Sequence, residues 1–97
     1  MLRHVVLLGF KESVAPPERA ALLDAIRGLQ ANVPSIRSLE LGENINPARG
    51  EGYTHVAVVT FDDRDGLAAY LSHPDHAPVG ERIRDATSRM LVVDVEA

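Results

Sequence analysis

The chain has 97 residues, 45% of them hydrophobic and 25% charged, with a net charge of −4 and a pI near 5.4, the balance of one ordinary globular domain. It has no cysteine, which excludes a disulfide framework, a thiolate zinc site and a cysteine nucleophile; its basic residues are scattered, which excludes the basic, aromatic-interleaved surface of a nucleic-acid binder. No apolar run approaches a signal-peptide core or a membrane span, so neither a membrane nor a nucleic-acid partner is expected, and a cytoplasmic location is.

Residues 2–10 read as a first strand. Leu2, His4, Val6, Leu8 and Phe10 share one face and Val5 and Leu7 the other; apolar residues on both faces predict a central strand. His4 is the polar member of its set. Residues 16–31 read as a helix entered through Pro16-Pro17, where missing N–H groups cost little. Leu22, Ala25, Ile26 and Leu29 give it one buried stripe, and Pro34 ends it.

Residues 36–43 predict a weaker, more polar strand nearer an edge. The Asn-, Pro- and Gly-rich stretch 44–52 is a long loop, of the kind that closes over sites. Residues 53–61 form the clearest strand, with Tyr53, His55, Ala57, Val59 and Phe61 on one face. Asp62 or Asp63 caps a short helix carrying Leu67, Tyr70 and Leu71 at i, i+3, i+4. Pro74 breaks it. Asp75 is the expected N-cap of a second piece over roughly 76–88, and residues 90–95 read as the last strand.

The resulting order, βαββαβ over a single domain of residues 1–97, predicts a ferredoxin-like α+β subunit. Four antiparallel strands carry the helices on one face, and the first and third strands are neighbours at the centre. The other face is apolar and uncovered, so a homodimer through the sheet faces, a dimeric α+β barrel, is expected.

Chemistry concentrates in Tyr70-Leu71-Ser72-His73-Pro74-Asp75-His76, where two histidines flank a proline at the helix break. The His-Val-Val-Leu opening, Gly52-Tyr53-Thr54-His55, Thr60-Phe61, Ala69-Tyr70-Leu71 followed by His73-Pro74-Asp75-His76, and Val92-Val93-Asp94 together resemble the stress-responsive dimeric A/B barrel (Dabb) family over nearly the whole chain. That family includes plant stress-induced proteins, bacterial proteins of no known activity, and a plant polyketide cyclase that performs an intramolecular aldol closure without a cofactor. The resemblance implies that Tyr70 and His76 match a catalytic pair, that His4 and His55 match two ligand-binding strand histidines, and that no cofactor is needed. The chain departs from that cyclase after His76, at Ala77-Pro78-Val79-Gly80.

The residue types suit the chemistry. A histidine in the first turn of a helix is kept neutral by the helix dipole and is then a competent general base; a phenol can donate to an enolate oxygen. On this reading His4 and His55, on adjacent strands, line one cavity beneath the His-Pro corner, while His73 serves the turn. The first expectation is a stress-associated dimer of undetermined role whose cavity simply holds a small-molecule ligand, with the acid–base enzyme as the alternative. One further reading stays open. Histidines with Asp75 could instead hold a metal in an oxygen-using relative, although His-Pro-Asp-His lacks the helical register of a metal-binding pair.

Overall fold

The computed structural model describes all 97 residues. The elements run β1 (Leu2–Phe10), α1 (Pro16–Asn32), β2 (Ser38–Glu43), a single 3₁₀ turn (Pro47–Arg49), β3 (His55–Phe61), α2 (Arg64–Ser72), α3 (His76–Ala86) and β4 (Thr87–Glu96). The strands form one antiparallel sheet in the order β2-β3-β1-β4. The two strands that are apolar on both faces are central and the more polar β2 is an edge, as expected from their composition. This is the ferredoxin-like arrangement.

The core lies between the sheet and the helices. Leu22, Ile26 and Leu29 of α1 are buried against Leu2, Leu8, Phe10, Val59 and Phe61 of the central strands. Register places Leu2 opposite Phe61, His4 opposite Val59 and Leu8 opposite His55. Directly paired residues share a face, so β1 and β3 present one continuous set of side chains to the helices.

Element boundaries depart from the sequence reading where side chains bond locally to the backbone. The Thr87 hydroxyl donates to the Ile83 carbonyl at 2.8 Å, its backbone is already extended, and it pairs with Phe10 through a register shift at Gly9/Phe10. The last helix therefore ends at Ala86, and β4 begins at Thr87 rather than near 90. β3 begins at His55 rather than 53 because Tyr53 closes the preceding loop, its N–H donating to the Gly50 carbonyl at 2.8 Å. β2 begins at Ser38. Leu71, expected in the buried stripe of α2, is instead 48% exposed: in this nine-residue helix Tyr70 is buried and Leu67 packs half-buried against the core.

Asp63 caps α2 as expected, its Oδ1 accepting from the Gly66 N–H at 2.9 Å. Asp75 does not cap α3. Its backbone is already helical and its side chain makes no cap bond. The neighbouring histidine takes over: His73 Nδ1 accepts from the Asp75 N–H at 3.1 Å, and the His73 carbonyl accepts from the His76 N–H at 3.0 Å. His73 thus builds the corner between the two helices. No helix is long and apolar enough to cross a membrane.

Candidate active site

His4 is 6% exposed on the helix-bearing face of β1. Its register partner on β4 is Asp94, and the pairing brings the two side chains together. A carboxylate can only accept, so His4 Nδ1–H donates to Asp94 Oδ1, at 2.6 Å. That bond fixes the ring's orientation and leaves Nε2 outside it.

Tyr70, buried in the last turn of α2, sits over His4 with ring centroids 5.8 Å apart in an edge-on arrangement. Phe61 braces its other side at 5.3 Å. His76, the first residue of α3, meets Tyr70 edge-on with centroids 4.6 Å apart. The helix break makes this contact: residues six apart in an unbroken helix would lie on opposite flanks, and the His73-Pro74 corner folds the second helix back onto the first. Asp94, His4, Tyr70 and His76 therefore form one contiguous row, contributed by β4, β1, α2 and α3.

Each of the other three histidines has a hydrogen-bond partner, whereas the Tyr70 hydroxyl and the His76 ring make no hydrogen bond within the chain, and both residues line a small cavity. That cavity has a volume of about 30 Å³, with Val6, Leu8, Leu29 and Val59 among its apolar walls. This is room for about one water molecule. Burial, then the neighbouring His4 and then Arg84, lower the His76 pKa from its ordinary value of 6.5, and the positive end of α3 acts in the same direction. Burial raises the Tyr70 pKa above 10.0. At neutral pH the pair is therefore a free base beside a protonated phenol.

His55 does not join this group. Four residues from Val59, the partner of His4, it lies about 13 Å farther along the sheet, so the two strand histidines do not line one cavity. It packs edge-on against Phe10 at 5.2 Å. Its Nδ1–H donates to Thr54 Oγ1 at 3.0 Å, and that hydroxyl in turn donates to the Leu8 carbonyl at 3.2 Å. It borders a separate surface hollow of about 340 Å³ with Asn44, Arg49 and Tyr53. Burial is the main cause that lowers its pKa below 6.5; Glu43 opposes it, and Arg19 and Arg27 add to it.

Asp94 escaped the sequence reading as a site residue. The available signal was a single carboxylate within the apolar run Met90 to Val95, a pattern that asks for a partner. No three His, Asp or Glu side chains of the chain converge in a cluster that could hold a metal.

Fold and site together define an antiparallel α+β domain with a histidine–tyrosine row that runs from the buried His4 and Tyr70 to the half-buried His76. The chain belongs to the stress responsive A/B barrel domain family, whose sequence model matches residues 2–97. It is 24% identical over 94 residues to olivetolic acid cyclase of Cannabis sativa, covering 96% of this chain and 93% of the cyclase. Among solved structures it resembles a dimeric ferredoxin-like protein of unknown function from Thermobifida fusca, with 26% identity, a TM-score of 0.86 and coverage of 99% of this chain and 90% of that one. It also shares the fold of a hydroxynitrile lyase from Passiflora edulis, with 20% identity, a TM-score of 0.91 and coverage of 97% and 90%.

Proposed function

We propose that this domain is a homodimeric, small-molecule enzyme that moves a proton at a carbon next to a carbonyl, using His76 as base and Tyr70 as hydrogen-bond donor. The observation that carries the reading is the edge-on contact of the two uncommitted side chains over the cavity. When the α C–H bond breaks, its proton passes to the His76 ring. The bond's electron pair moves through the new C=C bond onto the carbonyl oxygen, and the Tyr70 hydroxyl donates to that oxygen. The resulting enolate can attack a second carbonyl in the same chain, a cyclisation, or be reprotonated, an isomerisation. Asp94 positions His4, and His4 supports the far side of the Tyr70 ring. The named activity of the cyclase relative agrees with side-chain acid–base chemistry of this kind.

Dimerisation through the open sheet face belongs to the same proposal. Val5, Leu7, Val56, Val58, Leu91, Val93 and Val95 lie on the face opposite the helices, and Leu91, Val93 and Val95 are each more than two-fifths exposed. The description of the Thermobifida fusca protein as dimeric supports it.

The test is exchange of α-protons in 2,4-pentanedione, a small diketone, followed by NMR in D₂O. The wild type accelerates exchange, and His76→Ala lowers the protein-dependent rate about 10²- to 10⁴-fold. Tyr70→Phe lowers it about 10²-fold. Equal rates for the wild type and both variants would leave the pair a packing contact.

A further inference from the structure

The two flanks of α3 differ. Arg82, Asp85 and Ala86 face α1 across a groove shared with Val14, Glu18, Ala21 and Leu22. By helical geometry Gly80 and Arg84 lie on the other flank, on the β4 side of the sheet. A side chain begun at Gly80 would start 3.6 Å from Arg84 Nη1 and 3.8 Å from His76 Cε1. Gly80 lines the cavity, and with no side chain of its own it leaves a gap between the His76 ring and the Arg84 guanidinium. Arg84 forms none of the ion pairs seen here: those engage His4, Arg27, Arg37 and Arg64.

Beside this gap the strand floor is apolar and uncovered. Met90 pairs with Leu8, and Val92 with Val6, so both lie on the helix-bearing face next to two residues of the cavity wall. Yet Met90 is 42% and Val92 43% exposed. An apolar shelf therefore borders the cavity wall on the β4 side, the flank of α3 that carries the unpaired Arg84.

Building on the proposed activity, we infer that the substrate is an anionic carbonyl compound: its apolar segment lies along Met90 and Val92, its oxyanion binds the Arg84 guanidinium, and its carbonyl enters through the Gly80 gap to Tyr70 and His76. The oxyanion is a carboxylate or a phosphate, both of which the planar guanidinium fork fits. The glycine, which weakens a helix interior, is present because any side chain there narrows the entrance.

The experiment follows the His76 imidazole signals by NMR during titration with 3-oxooctanoate, its uncharged methyl ester, and its coenzyme A thioester. Both anions bind about tenfold more tightly than the ester, and Arg84→Gln abolishes that preference. Tighter binding of the thioester than of the free acid identifies phosphate as the recognised group, and the reverse identifies carboxylate. Gly80→Ala, which meets only ordinary van der Waals contacts, raises Tm by about 4 °C while weakening the anions about fivefold or more. Equal affinity of acid, ester and thioester would overturn anion recognition and leave the proposed proton transfer standing. No perturbation of His76 by any of the three would remove both. A Gly80→Ala protein with raised Tm and unchanged affinity would overturn the gap.

Discussion

His76 and His55 each titrate below the ordinary value, for the same leading cause, loss of water around a charged ring. The sign of the consequence is definite. A lowered folded pKa means that the unfolded chain binds the proton at a pH where the folded chain does not, so acid favours unfolding. The stabilisation is fully present above about pH 6.5 and is lost as the pH falls from there through the folded pKa values. Urea midpoints are expected to fall between pH 7 and pH 5, with the drop reduced in His55→Gln and again in His76→Gln. Midpoints independent of pH over that range would mean that these rings are solvated in the folded state. At this scale the site was partly legible. Tyr70, His76 and His4 stand out as polar groups in apolar or broken patterns, and the fold brings them together. Whether His55 joins them depends on register, which determines position along a strand as well as face, and periodicity alone reports only the face. Asp94 became visible only once β4 was aligned with β1.

Single side chains also decide what the helices do. Two short helices replace one because Pro74 cannot continue the first, and residues 64–86 act as a hinge-shaped clamp with Tyr70 on one arm and His76 on the other. The clamp's first arm depends on Asp63, whose carboxylate holds the Gly66 N–H. Asp63→Ala is expected to cost about 1 kcal/mol, measured as a lower urea midpoint at unchanged slope, while Asp75→Ala, which removes no cap bond, changes it by less than about 0.5 kcal/mol. Equal losses from the two would mean that the caps are shared differently. This difference marks where sequence reasoning stopped. Asp after Pro and before a helical pattern is a sound N-cap signal, yet here the capping acceptor is the His73 ring, which takes the N–H of Asp75 itself. The early start of β4 has a similar origin, in one threonine hydroxyl returning to the preceding helix.

For the whole molecule, the hydrophobic pattern was nearly sufficient. Apolar residues on both faces of β1 and β3, and a polar β2, determine a strand order with those two at the centre, and the short loops leave few other topologies. The same pattern leaves the open face without cover, and seven aliphatic residues there call for a second copy. Light scattering is expected to give twice the chain mass for the wild type and the single-chain mass for Val93→Lys. That position is exposed in the isolated chain, so the variant's circular dichroism should be preserved. A wild-type monomer would assign the face to another partner.

The most direct measurement of the central claim is the pH profile of α-proton exchange in 2,4-pentanedione by the wild-type protein. Exchange carried by a neutral His76 rises with pH through an apparent pKa below 6.5 and levels above it, and that rise disappears in His76→Ala. A flat profile, or one that survives in His76→Ala, would contradict the assignment of His76 as the base.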